Sequence, residues 1–192
     1  LDYWMLRTQL ILTCRQPDLI PSPSDDITVD VIDMFPEEID AYFDGACETY
    51  TLCARRDSAF LNWRFATHPE KPYTLGLARD GSGALRGYGI YRKAVMAGRE
   101  AGIVMDWFVD PDDEAGARTL GHWIAHTAGA EGMTELMFIA PTVSVWTDRF
   151  QDWGFRPEPS PYVMVARCCD SDFQPKDVRD NWYYTLADFD LM

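Results

Sequence analysis

Positive charge is scarce in this chain, and so are the residues that usually hold metals. Seventeen lysines and arginines stand against 31 aspartates and glutamates, a formal net charge of −14. Such a surface repels phosphate backbones and anionic lipid at long range, which argues against nucleic acid or a membrane as partner. The sequence has no run of 18 apolar residues and no charged-apolar-small leader, so a soluble protein is expected. There are three histidines, and His122 and His126 share the i, i+4 spacing that can grip a metal. The acidic residue that follows the first histidine in zinc hydrolases is missing, and no metal site is expected. The five cysteines (Cys14, Cys47, Cys53, Cys168 and Cys169) are odd in number and contain no CxxC. They give neither a disulfide framework nor a zinc spacing and read as reduced core thiols, as expected of a cytoplasmic protein.

What the chain does have is apolar and aromatic material: 47% of its 192 residues are hydrophobic and 14% aromatic. That length and composition suit one packed domain with appendages. The organising stretch is Ala101 to Phe155. An apolar run, Ile103 to Val109, meets an acidic turn, Pro111 to Gly116. A helical pattern follows, with Ala117, Leu120, Trp123, Ile124 and Ala128 at steps of three and four. A second apolar run, Leu136 to Ala140, precedes a shorter helix that closes on Trp153-Gly154-Phe155. Strand, helix, strand of this length is a βαβ crossover, which sets a helix N-terminus beside the C-terminal end of a strand. Such junctions bind phosphates or acyl carriers.

Around this unit the chain divides into residues 1–26, 27–169 and 170–192. The first part begins abruptly, with no initiator Met. Trp4, Leu6, Leu10 and Leu12 share one alternating face, and a Pro-rich linker, Arg15 to Asp26, follows. This reads as the truncated end of a longer chain with a missing upstream domain. A strand is expected at Ile27–Ile32, then a helix opened by Pro36-Glu37-Glu38 and carrying Ile39, Tyr42, Phe43 and Ala46 inward. A short helix capped by Asp57 or Ser58 ends at Pro69. Tyr73–Ala78 and Leu85–Val95 flank Asp80-Gly81-Ser82-Gly83, a hairpin composition. Gly87 and Gly89 suggest a bulge or a close backbone approach. Pro157 to Pro161 reads as a turn before a last strand, Tyr162–Arg167. In the tail, Trp182, Tyr183 and Tyr184 are expected to fold back onto the domain.

In this order the elements resemble the GNAT superfamily of acetyl-CoA-dependent N-acyltransferases. Trp107-Phe108-Val109-Asp110-Pro111 is placed like the family's V-x-P after its fourth strand. Phe150 to Phe155 is placed like its Y-x-x-x-G-F. Arg56 to Phe65 with His68-Pro69, followed by Tyr73 to Tyr88, resembles a motif of less characterised GNAT-like proteins. The resemblance spans roughly Ile27 to Arg167 and implies an α/β domain whose mixed sheet of six or seven strands is flanked by helices. It also implies that backbone groups of Trp107, Phe108 and Val109 hold the pantetheine arm of acetyl-CoA or CoA, while Ala115, Gly116, Ala117 and Arg118 meet its pyrophosphate.

The sequence also departs from that pattern. The family's Q/R-x-x-G-x-G/A falls on Glu114, Ala117 and Thr119, so the basic residue is an acid and the glycines are gone. Asp110, Asp112, Asp113 and Glu114 would surround a pyrophosphate with like charge. One such pair about 4 Å apart costs roughly 4 kcal/mol at an effective dielectric of 20. Phe150 stands where the family's tyrosine acid would be, and it has no proton to give. Asp106 is the candidate general base. Trp63 could floor a substrate pocket and Arg64 reach a carboxylate, or the two could fix the short helix to the sheet; Arg55 and Arg56 read as a solvated helix entry. Two functions follow. One is an N-acetyltransferase acting on a small amine. The other is an inactive GNAT-shaped domain that packs against another domain of the same longer chain.

Overall fold

A computed structural model describes residues 4–70, 72–141, 144–166 and 174–189. Among them, seven strands form one sheet: β1 (Trp4–Cys14), β2 (Ile27–Ile32), β4 (Thr74–Asp80), β5 (Leu85–Met96), β6 (Arg99–Phe108), β7 (Leu136–Phe138) and β8 (Arg156–Ala166). Their order is β2-β4-β5-β6-β7-β1-β8. β6 and β7 are the parallel pair, joined by α3 (Glu114–Ala130), and the other pairs in this sheet are antiparallel. The crossover read from Ala101 to Phe155 is therefore the centre of the fold, and the sheet is mixed and helix-flanked as the sequence predicts.

α3 lies across β5, β4 and β2. Its buried face is Gly116, Ala117, Leu120, Gly121, Ile124 and Ala128. Trp123 packs beside that face because Gly76 of β4 has no side chain; a Cβ there would sit 2.5 Å from the indole ring. Gly87 takes φ +134° opposite a register shift in β4, with Phe108 O 2.8 Å from where its Cβ would be, so the bulge and the close approach are both present. On the other face α1 (Glu38–Ala46) turns Ile39, Phe43 and Ala46 inward. α2 (Ser58–Leu61), capped by Asp57, runs on into a π-helical turn, Asn62–Ala66.

Three expectations need correction. β1 does not stand apart with the linker: it lies between β7 and β8 in the main sheet, so Ile11, Leu12, Thr13 and Cys14 are all buried, on both faces. The side chains of Trp4 and Leu6 lie outside the description. The Pro-rich stretch is not a turn but the first half of β8, paired as Leu12↔Pro157 and Leu10↔Pro159. Prolines at every second position turn their missing N–H groups to the same side, which an edge strand tolerates where it faces away from its neighbour. The linker also packs: Ile20 is buried, and Ser24 N donates to Thr119 Oγ1 at 3.0 Å.

Past Gln174 the chain forms α5 (Pro175–Asn181), β9 (Trp182–Tyr183) and a 3-10 turn at Leu186–Asp188. β9 pairs in parallel with β3 (Leu52–Cys53). Tyr183, Tyr184, Leu186 and Ala187 are buried. Cys14 is a buried free thiol, Cys47 and Cys53 are half-buried free thiols, and Cys168 and Cys169 lie outside the described residues. Among the described residues no helix is long and apolar enough to cross a membrane, and no cluster of potential metal ligands occurs.

Candidate functional site

β6 and β7 pair only from Gly102↔Leu136 to Val104↔Phe138. β6 then stays with β5 as far as Tyr88↔Phe108, so the two parallel strands part beyond Val104. At the mouth of the parting is a cavity of about 360 Å³, whose walls include Tyr50, Pro111, Pro141, Ser144 and Trp182. On one side the cavity reaches Asp112, next to the α3 N-terminus, and on the other it is walled by Trp182 and Tyr183, whose hydroxyl meets the β6 backbone one residue beyond Asp106.

At the α3 end the Glu114 and Gly116 backbone donors are already used. Asp113 caps the helix, its Oδ1 accepting from Gly116 N at 2.9 Å. Arg86 holds the same carboxylate at both oxygens, Nε to Oδ2 at 2.6 Å and Nη2 to Oδ1 at 2.7 Å. A carboxylate paired with a guanidinium thus stands where an anion would meet the helix N-terminus. Ala115, Gly116, Ala117 and Arg118 do share the first turn, but Gly116 and Ala117 are buried. A Cβ at Gly116 would lie 2.6 Å from Asp113 Oδ2 and 2.8 Å from Arg86 O.

Within the parting, β6 presents its backbone to aromatic hydroxyls. Trp107 O accepts from the Tyr183 hydroxyl, and Trp107 N donates to Asp106 Oδ1 at 2.9 Å. Val109 O accepts from Tyr50 Oη at 3.4 Å, and Tyr50 Oη accepts from Trp146 Nε1 at 2.7 Å. Asp110 N donates to Tyr42 Oη at 3.1 Å. Burial raises the pKa of both Tyr42 and Tyr50, so each stays a neutral donor or acceptor. The ring of Phe108 is packed among Phe43, Tyr50, Tyr88 and Tyr183. Trp107 faces the opposite way, edge-on to Trp146 and Phe150 of α4 (Val145–Asp152).

Asp106 is fully buried, and both its oxygens are satisfied. Arg56 Nε lies 3.2 Å from each, Tyr88 Oη donates to Oδ2 at 2.8 Å, and Thr185 Oγ1 donates to Oδ1 at 2.7 Å. Arg56 is fully buried too, so it is not part of a solvated helix entry. Its Nη2 donates to Asp188 at 2.5 Å and its Nη1 to Ala54 O at 2.9 Å. One guanidinium serves two carboxylates, and burial together with the nearby Asp106 charge raises the Asp188 pKa despite Arg56. Beside it, burial lifts the Cys53 thiol to about 12, which removes it as a nucleophile near neutral pH.

The remaining candidates sit elsewhere. Trp63 is 70% exposed within the π-helical turn. Arg64 Nη2 donates to Phe189 O at 2.7 Å and so ties the C-terminal segment down. Phe150 is buried against Phe138, Trp153 and Phe155. The residues that reasoning from sequence missed are Arg56, Tyr183, Thr185 and Asp188. Thr185-Leu186-Ala187-Asp188 is a readable capping-box spacing, and the box is formed. Nothing local marks Arg56 as buried.

The geometry thus does not fit CoA held in the manner the resemblance implies. The helix N-terminus carries an internal carboxylate, and the Trp107 amide and carbonyl and the Val109 carbonyl are bonded to the chain's own side chains.

No protein-family model and no curated protein matches the sequence significantly. Solved structures do. A conserved Enterococcus faecalis protein of unknown function, described as a probable N-acyltransferase, superposes with a TM-score of 0.60 at 16% identity. A GCN5-related N-acetyltransferase from Anabaena variabilis gives 0.62 at 10%. A functionally unknown conserved protein from Staphylococcus epidermidis gives 0.53 at 9%. The matches cover 85%, 85% and 82% of this chain but only 40%, 41% and 59% of theirs. This chain therefore spans about two fifths to three fifths of the proteins it resembles. At such identities the likeness is one of architecture: the chain has a divergent GNAT-like fold.

Proposed function

We propose that this is a GNAT-shaped domain that serves as a structural or interaction module, its groove being filled by its own residues rather than by an acyl carrier. The observation that carries this reading is the Tyr183 hydroxyl on the Trp107 carbonyl, a backbone group that an acyl carrier would need. The partner is another domain of the same longer chain, in keeping with the greater length of the structural neighbours. Trp63 and Met34, 70% and 57% exposed, suit such packing. They flank a two-point bridge in which Asn62 accepts from Phe35 N at 2.8 Å and donates to Phe35 O at 2.9 Å.

A second reading, an acyltransferase acting on an amine, is favoured by the open cavity at the parted strands. Thermal unfolding with CoA and acetyl-CoA separates the two. A ligand at a hundredfold excess over its Kd adds about 2.7 kcal/mol, roughly 5 °C or more in Tm for a domain of this size. No shift at millimolar concentration is the expected result. A saturable shift would overturn the module reading.

A further inference from the structure

The segment Gln174–Phe189 closes the parting, and its hydrogen bonds to the rest of the domain include the following. Asp188 and Thr185 meet Arg56, Thr185 meets Asp106, Tyr183 meets Trp107, and Phe189 meets Arg64. Its own secondary structure is slight. β9 is two residues long and pairs with a two-residue partner, and such a ladder has no stability of its own. No residue of α5 is buried.

The charges point the same way. With the segment docked, one buried guanidinium faces two carboxylates. With it withdrawn, Arg56 and Asp106 would remain a balanced pair, still joined by Tyr88 and the Trp107 amide. The floor beneath the segment thus keeps its own ion pair, and withdrawal frees the Trp107 carbonyl and Arg56 Nη2 to meet water. Docking adds an acid that the site accommodates at a cost.

From this we infer that Gln174–Phe189 is a strap that opens as a unit, with the Arg56–Asp188 contact as its latch. The groove between β6 and β7 is occluded, not built over. The inference rests on the reading that the chain's own residues close the groove. It adds that this closure is reversible and is governed from one point.

Hydrogen exchange on the wild-type chain and on Asp188→Ala tests it. The variant removes the latch and the acceptor of the Thr185 amide. Amides of residues 182–187 should exchange about a hundredfold faster, while those of 75–79 and 88–91 keep wild-type rates. Equal acceleration in all three regions, or none, overturns the strap. Should Asp188→Ala fail to fold, Tyr183→Phe deletes only the bond to Trp107. It should raise exchange about tenfold, again confined to 182–187, with the same overturning outcomes. A Tm shift of the wild-type chain with CoA would sink the closed-groove reading by itself. Uniform exchange would sink the strap and leave that reading standing.

Discussion

The two ends of the groove are blocked by different means. At the α3 end the blocking group is local: Asp113 folds back on the helix it begins, and its counter-ion comes from the adjacent strand β5. In the parting the blocking groups come from afar. Tyr183 and Asp188 arrive 76 and 132 positions from the residues they meet, Trp107 and Arg56. The local plug is partly open to water, with side-chain exposures of 34% for Arg86 and 11% for Asp113, whereas the distant one is sealed, with 0% for Arg56 and 4% for Asp188. A group screened by solvent contributes little when lost, and a buried charge stripped of its partner costs a great deal. The two ends should therefore respond very differently to substitution.

The largest effect belongs to Arg56→Met. It leaves Asp106 and Asp188 without a cation in a site that excludes water. Loss of about 3–5 kcal/mol is expected from urea unfolding at neutral pH. Arg86→Met, which removes the cation at the other end, should cost about 1 kcal/mol or less. Similar values for the two would erase the contrast between the ends.

The same contrast explains what could be read from the sequence. The crossover, the hairpin about Asp80 and the helix carrying Ile39 and Phe43 are set by periodicity and turn chemistry within a dozen residues, and each is present. The poor fit of the α3 N-terminus to a phosphate was equally legible, because Asp113 and Glu114 sit in the motif itself. Arg56 was not. Its neighbours Arg55 and Asp57 pair with each other at the surface, at 2.9 Å, and a run of alternating charge carries no mark of which member turns inward. Nor does local pattern show that β1 enters the sheet between β7 and β8, since strand order depends on contacts more than a hundred residues apart in the chain. Pro157, Pro159 and Pro161 mislead for a related reason. Proline speaks against a central strand but not against an edge, and only the assembled sheet decides which β8 is.

A middle-sized effect sharpens the comparison. Asp113→Ala removes the helix cap and leaves Arg86 with its remaining partner, Asp80, at 3.4 Å. A loss of about 1–2 kcal/mol is expected. Combined with Tyr183→Phe, which acts at the other end and shares no bonded partner with it, the costs should add to within about 0.5 kcal/mol. Non-additivity in the double-variant cycle would mean that the two plugs are parts of one device.

The smallest effect is a slope with pH, and its sign distinguishes the buried site from the surface. Glu38 and Asp57 have lowered pKa values because Arg79 bonds the first and the Phe60 amide caps into the second. Their small contributions are lost as pH falls. Asp188 runs the other way. Burial raises its folded-state pKa above the ordinary value of 3.8, so across that interval the native state binds more protons than the unfolded chain. Its contribution is complete below 3.8 and is lost as pH rises through the raised value. Replacing it by Asn fixes the neutral form and leaves the surface carboxylates untouched. The stability of Asp188→Asn should therefore gain on the wild type as pH rises above 4, by at most about 1.4 kcal/mol per pH unit. A difference curve that is flat, or that falls with pH, would mean that Arg56 neutralises Asp188 completely and that the buried cluster carries no excess acid.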